Sequence, residues 1–269
     1  MTAKDKVFSG SIPEIYDRLL VPMIFEPYAR DLTSRITRLA PHCVLEIAAG
    51  TGVVTRALAA ELPPATGIVA TDLNQPMLDH ARKRLAHDGR IEWKQADALA
   101  LPFDDGRFDV VTCQFGAMFF PDKVQAYREA HRVLKAGGHF LFNVWDRIAD
   151  SEFADMITQA LAELFPDDPP RFLARTPHGY CDEAIIRAEL REAGFASVSI
   201  DVIDAVSRAG SAHDASAAYC QGTPLRNEIE AHNGSIEDAT RHAADALARR
   251  FGDGAVEGRI RALIIETSK

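Results

Sequence analysis

Apolar residues recur in two rhythms along this chain. Before residue 41 they fall at helical spacing in "IPEIYDRLL" and "FEPYARDLTSRITRLA". This predicts two helices, the second ending by Pro41, whose ring cannot continue a helix interior. From residue 43 the rhythm changes. Near-continuous apolar runs, "CVLEIA" (43–48), "GIVATD" (67–72), "IEWKQA" (91–96), "FDVVTCQF" (108–115) and "HFLFNVW" (139–145), are separated by helical patterns at 52–62, 75–86 and 122–134. Strand–helix–strand alternation with such apolar strands predicts a parallel, doubly wound α/β sheet.

The pattern after the fifth strand is less regular. A helix near 151–165 leads into the Pro-rich loop "PDDPPRF", and "RTPHGYCDEAIIRAELREAGF" supplies another helix with Gly194 as its C-cap. "SVSIDVID" reads as a sixth strand and "GRIRALIIET" (258–267) as a final one. Between them, residues 212–250 form a helical insertion interrupted at Gly222, Pro224 and Asn233–Gly234.

Composition narrows the classes. With 269 residues, 47% hydrophobic and 26% charged, the chain supports one large α/β domain or a core carrying an insertion. A net charge of −9 argues against a nucleic-acid partner, because phosphate affinity needs a basic surface. The basic run Arg82–Arg84 sits in a helical pattern with Leu78, Ala81 and Leu85 and reads as a solvated face. "MTAKDKVFSG" lacks the apolar core of a signal peptide, and runs such as "FGAMFF" are too short for a membrane span. A cytoplasmic location is therefore expected. Cys43, Cys113, Cys181 and Cys220 match no metal or redox spacing and are expected to be reduced and structural, with no metal bound.

The loop "AAGTG" follows the first strand, where a doubly wound sheet binds its ligands. A dinucleotide cradle needs GxGxxG. A pattern starting at Gly50 gives Gly50, Gly52 and Thr55, and one starting at Ala48 gives Ala48, Gly50 and Val53, so neither supplies the third glycine. Glu46 ends the strand, and residues 48–54 contain no Lys or Arg to hold a diphosphate. A cationic ligand without phosphate, such as S-adenosylmethionine, suits this better. Asp72 closes the second strand, where a carboxylate can accept ribose hydroxyls, a feature shared with NAD sites. Asp97, after the third strand, is placed to accept from an adenine amino group, with Ala98 leaving room for the ring. Gln114 and Phe115 end the fourth strand on the same rim.

Taken together, "VLEIAAGTG", "ATDLNQPMLDHAR", "QADALALPFDDGRFDVVTCQFGAMFFPD" and "EAHRVLKAGGHFLF" resemble the class I S-adenosylmethionine-dependent methyltransferases, in the small-molecule group that includes the ubiquinone and menaquinone biosynthesis enzymes. The resemblance covers roughly residues 43–146. It implies a Rossmann-like sheet of seven strands with the last antiparallel, N-terminal helices and a helical insertion before the last strand. The expected division is a single domain, with a cap at 1–41, a cofactor-binding core at 42–146 and a C-terminal part at 147–269. The resemblance also implies that Glu46, Ala48, Gly50 and Gly52 surround the methionine part, and that Asp72 binds the ribose. By the same carry-over Leu73 and Met77 pack on adenosine, Asp97 and Ala98 hold adenine, and Gln114 lines the methionine side. The family often has glycine where Ala48 stands, and a methyl there is expected to push the loop back slightly.

Plainer readings stand beside these. Met77 is equally a core residue by its spacing, Asp97 a cap for the turn into "ALALPF", and Asp72 a cap for the next helix. Methyl transfer needs alignment and exclusion of water more than a catalytic triad. Candidate catalytic groups are His178 and Tyr180 in "RTPHGY" and Asn143 and Trp145 at the end of the fifth strand; His139, at the opposite end of that strand, is set aside as structural. Tyr16, Phe25 and Tyr28 form an aromatic set suited to the cofactor or an acceptor, Tyr16 foremost, or simply to packing on the sheet. The 212–250 insertion is either a lid or a homodimer surface. The expected activity is methyl transfer to a small, apolar or aromatic acceptor. The competing readings are an NAD-dependent oxidoreductase and a non-catalytic S-adenosylmethionine-binding protein.

Overall fold

The computed structural model describes Gly10, residues 12–232 and residues 234–269; Asn233, half of the expected Asn–Gly interruption, lies outside them. Instead of two helices, the N-terminal region forms one unbroken helical run. It comprises α1 (Ile12–Ile15), a π-helical segment (Tyr16–Phe25) and α2 (Glu26–Arg38). Pro22, inside the π segment, does not end the run. The Glu26 N–H donates five residues back to the Val21 carbonyl, the longer bond that defines a π turn.

Next come β1 (Cys43–Glu46), α3 (Val53–Glu61), β2 (Gly67–Asp72), α4 (Gln75–Arg84), β3 (Ile91–Gln95), β4 (Phe108–Gln114), α5 (Lys123–Val133) and β5 (Leu134–Trp145). The C-terminal elements are α6 (Glu152–Leu164), α7 (Phe172–Arg175), α8 (Glu183–Glu192), β6 (Val198–Ala209), α9 (Ala212–Gly222), α10 (Leu225–Ala231), α11 (Ile236–Phe251) and β7 (Val256–Ser268). The seven strands form one sheet in the order β3-β2-β1-β4-β5-β7-β6. β1 pairs in parallel with both β2 and β4, so the order reverses at β1. β7 runs antiparallel to β5: Gly137 bonds to Lys269 while Asp146 bonds to Arg261, partner numbers falling as strand numbers rise. The expected seven-stranded Rossmann-like sheet is therefore present. β5 starts five residues before His139, because a register shift between Phe108 and Val110 takes the extra residues into the β4 pairing. His139 pairs with Val110 and lies 3.7 Å from Glu266.

The chain divides into two compact units. The sheet unit holds Pro27–Val144, Cys181–Ile203 and Leu263–Lys269. In its core, Ala29, Leu32 and Ile36 of α2 join Val44, Val54, Leu58, Ile68, Leu78, Val110 and Leu141. α3 and α4 turn one apolar stripe to this core, the arrangement their spacing dictates. The helical unit holds the chain up to Glu26, Trp145–Tyr180 and Asp204–Ala262. Here the insertion helices α9 and α11 pack on each other and on α6, and α9 also packs on the π segment. Phe153 of α6 meets Phe251 of α11 edge-on at 5.3 Å.

Among the described residues no helix is long and apolar enough to cross a membrane, and no His, Cys, Asp and Glu cluster is arranged to hold a metal. The four thiols form no disulfide. Burial pushes those of Cys113 and Cys220 up to about 12, which leaves them inert as nucleophiles.

Candidate functional site

Parallel pairing brings the carboxyl ends of β1, β2, β3 and β4 to one rim, with Glu46 beside Ala70 and Thr112, and Asp72 beside Gln95. The loop after β1 hangs between its neighbours: the Ile47 N–H donates to Thr112 O and the Ala49 N–H to Thr71 O, both at 2.8 Å. Every second residue beyond is left-handed, with φ of 55° at Ala48, 56° at Gly50 and 82° at Gly52. At Gly52 the glycine is required twice, by this φ and because a Cβ would sit 3.0 Å from Ala81 Cβ on α4. Ala48 takes the same backbone conformation with a side chain present. The space it fills is the one left by Gly116, where an added Cβ would come within 2.5 Å of Ala48 Cβ.

Asp72 organises the loop from beneath. Only 7% exposed, its Oδ2 accepts the Gly50 N–H at 2.9 Å, and its Oδ1 accepts the Asn74 N–H at 2.7 Å. The helix-entry role and the loop role thus coexist on one carboxylate, and lone pairs remain for further donors. Burial raises its pKa, opposed by these amide bonds. Glu46, 1% exposed, accepts the Thr55 hydroxyl at 2.5 Å. Burial, assisted by the charge of Asp72, pushes Glu46 up to about 8. One loop amide is thereby given to an internal anion, two carboxyl groups lie below the loop, and residues 48–54 supply no cation. That electrostatic setting disfavours a diphosphate and suits a positively charged ligand.

The other rim residues divide by exposure. Leu73 is 44% exposed directly after Asp72, whereas Met77 is buried in the unit core, its Cε 3.6 Å from where a Gly50 Cβ would stand. Asp97 is exposed and accepts the Leu99 N–H at 3.0 Å, the turn-capping geometry, and Ala98 beside it is buried. Gln114 is buried at the end of β4. Asn143 is fully buried; its Oδ1 accepts the N–H of Phe115, which is itself left-handed at φ 50°. Its amide oxygen thereby holds backbone at the rim. Tyr28 is also core: its hydroxyl donates to Ile203 O and its ring meets Phe115 edge-on at 5.4 Å.

Two rim residues were not singled out by sequence. Thr55 is the hydroxyl that holds Glu46, and Thr51 Oγ1 is buried in the loop without a hydrogen-bond partner among the described residues. The signal for Thr55 is a polar residue on the apolar face of α3, one turn in from the loop.

In the helical unit the structure gathers residues that the sequence scatters. Tyr16 stacks on Phe25 at 5.1 Å, Phe25 lies 5.9 Å from Trp145, and Trp145 lies 6.0 Å from the His178 ring. The π segment makes the first contact possible. Nine residues span about 2.5 turns of an α-helix, which would set Tyr16 and Phe25 on opposite sides; the wider π turn brings them to the same side. His178 Nδ1 lies 2.8 Å from the Asp146 carbonyl oxygen and must carry the proton of that bond. Burial pushes the ring down to about 4. Tyr180 is buried in the same unit.

A sheet of this order with a carboxylate-organised loop at its switch point defines a Rossmann-like fold, and sequence comparison gives the family. Residues 44–138 match the family described as methyltransferase domain. A demethylmenaquinone methyltransferase of Clavibacter sepedonicus is 33% identical over 175 residues, 62% of this chain and 70% of that protein. A ubiquinone/menaquinone biosynthesis C-methyltransferase UbiE of Ectopseudomonas mendocina (strain ymp) is 34% identical over 168 residues, 58% and 66% of the two chains. The chain belongs to the class I S-adenosylmethionine-dependent methyltransferases, and its cofactor is S-adenosylmethionine. Solved structures share the fold. The YcgJ protein of Bacillus subtilis superposes with a TM-score of 0.55 at 22% identity, over 88% of this chain and 97% of that one. Phosphoethanolamine N-methyltransferase 2 of Haemonchus contortus, in complex with S-adenosyl-L-methionine, gives 0.54 at 16% identity, over 89% and 52%.

Proposed function

We propose that this methyltransferase acts on a small, apolar or aromatic acceptor, and that the rim of the sheet unit holds the cofactor. The observation that carries the cofactor assignment is Asp72, whose carboxylate is oriented by two backbone amides and keeps lone pairs for the ribose hydroxyls. Leu73, exposed beside it, packs on the adenosine with Met77 beneath; Asp97 and Ala98 take the adenine edge. Glu46, Ala48, Gly50, Gly52 and Gln114 surround the methionine part, whose cationic end would draw Glu46 toward its ionised form against the burial that pushes it up to about 8.

The bound cofactor supplies an electrophilic methyl group on a sulfonium. The chain's contribution is to align an acceptor atom in line with the methyl–sulfur bond and to exclude water, effects that reach about 7 to 11 kcal/mol in the best intramolecular cases. The methyl group would pass to an acceptor atom held in line with it by the chain. The aromatic character of the acceptor is supported by the quinone biosynthesis names of the relatives above.

Calorimetric titration with S-adenosylmethionine, S-adenosylhomocysteine and NADH tests the cofactor half: both adenosyl ligands bind and NADH does not. Binding of NADH alone overturns it. A screen of phenols, quinols, amines and lipids for S-adenosylhomocysteine release tests the acceptor half, with phenols and quinols expected to lead.

A further inference from the structure

β6 is the last strand in the sheet order, and among the described residues no strand lies beyond it. The part of it that belongs to the helical unit alternates: Asp204, Val206 and Arg208 are exposed, while Ala205 is half-buried and Ser207 buried. β7 alternates likewise, with Glu257 and Arg259 exposed and Val256, Gly258 and Ile260 buried. Two ion pairs at 2.8 Å set the strands in register, Asp204 against Arg261 and Arg208 against Glu257. The strands therefore run antiparallel, and Val206 lies opposite Arg259. A cavity of about 310 Å³ lies open on this face, lined by Asp204, Val206, Glu257 and Arg259 among others.

The main chain of Asp204, Val206 and Arg208 points off the sheet. On β7, the Arg261 carbonyl accepts the Asp146 N–H just past the end of β5, and Glu152 Oε2 accepts the Arg259 N–H at 2.7 Å. Odd-numbered residues of β7 thus turn their peptide groups away from β6. In an antiparallel pair, residues directly opposite either bond to each other or both turn away. Asp204, Val206 and Arg208, opposite Arg261, Arg259 and Glu257, accordingly present their N–H and C=O groups at the open edge. Edge strands are commonly guarded by proline or lysine, and residues 204–208 contain neither.

We propose that β6 pairs antiparallel with β6 of a second copy of this chain, about a two-fold axis through Val206. Only outward-facing residues can bond across such an edge, so the choice lies among registers that join them. Centring on Val206 sets Asp204 against the partner's Arg208, and Arg208 against the partner's Asp204. Centring on Asp204 or on Arg208 puts like charges face to face, and the registers between put a charge against valine. The ion pairs within each chain extend the match: Arg261, Asp204, the partner's Arg208 and the partner's Glu257 alternate in sign across four strands. Main-chain hydrogen bonds hold the pair together, and the charges choose the register. The two-fold axis uses up both edges, so assembly stops at two copies. Because the contact is narrow and its charges are exposed, the dimer forms reversibly and weakens with salt.

Sedimentation equilibrium of the full chain should show a reversible monomer–dimer equilibrium that shifts toward monomer as salt rises. Asp204→Arg and Arg208→Asp should each weaken self-association at least about tenfold, because the two-fold axis repeats every reversed contact. Mixed in equal amounts, the two variants should recover a dimer with one chain of each. In that dimer the introduced arginine faces the introduced aspartate, and the other row keeps its native pair. Recovery on mixing also rules out misfolding as the reason why either variant fails alone. Val206→Pro removes only an outward N–H, which an edge strand tolerates, and should give a monomer with the circular dichroism spectrum of wild type. A wild type that stays monomeric at millimolar concentration overturns the proposal. So do charge-reversed variants that fail to recombine, and a dimer that persists in Val206→Pro and both charge reversals, which would move self-association to another surface such as the 212–250 insertion.

Discussion

Ala48 and Gly116 are a complementary pair: the methyl of one, held on a left-handed backbone, occupies the place where a side chain on the other would stand. Gly116 itself has ordinary right-handed dihedrals, φ −101° and ψ −35°. Space, not conformation, therefore makes it glycine.

Gly116→Ala should be destabilising by about 1 to 3 kcal/mol, the usual cost of overpacking, because its Cβ would meet Ala48 Cβ at 2.5 Å and Cys113 Sγ at 2.7 Å. Ala48→Gly removes the strain of a left-handed alanine but adds chain entropy to the unfolded state, so it should change stability by less than about 1 kcal/mol. The double variant recovers only part of the loss, since Cys113 remains. Urea unfolding of the three variants checks all of this.

Glu46 gives the free protein an unusual pH dependence. Its ordinary value is 4.5 and burial takes it to about 8 in the folded state. Between those values the native state holds a proton that the unfolded chain has lost, so stability is greatest at the acidic end and falls as pH rises toward 8. The shift of Asp72 has the same sign. Thermal melts of ligand-free protein from pH 5 to 8 should show a falling Tm, and Glu46→Gln should flatten the slope.

Asp72→Ala should weaken S-adenosylhomocysteine binding at least tenfold, about 1.4 kcal/mol, through loss of both the diol acceptor and the partner of the Gly50 amide. Calorimetry reads the affinity directly. An unchanged value would move the ribose contact elsewhere.

Asn143→Ala should cost about 0.5 to 1.5 kcal/mol, because it removes a side-chain acceptor from the Phe115 N–H at a fully buried position while the Asn143 carbonyl still accepts that N–H at 3.2 Å. Chemical denaturation measures it, and a loss of stability that accompanies any loss of turnover would mark the residue as positioning.

The sheet was legible because its signals are local: five apolar runs, their spacing and acidic strand ends survive intact as β1–β5 and the rim. Asp72 and the loop were readable for the same reason. Interactions across the sequence were not. Nothing in "AAGTG" announces that Ala48 is accommodated by a glycine 68 positions later, nor that Asn143 holds Phe115. Tyr16 and Phe25 were grouped by the sequence, but their stacking was hidden by a wrong period. An α-helical reading around Pro22 breaks the segment in two and turns Tyr16 away from Phe25, whereas the π turns keep the helix whole and bring the rings together.

The same π segment makes the helical unit sensitive to chain length as well as to residue type. Deleting one residue between Tyr16 and Phe25 leaves a sequence well able to relax to the α period, so the helix survives while its two rings, then eight residues apart, fall about 80° out of phase. A change of length here is in effect a dial for the orientation of Tyr16 that leaves every side chain of the cluster unaltered.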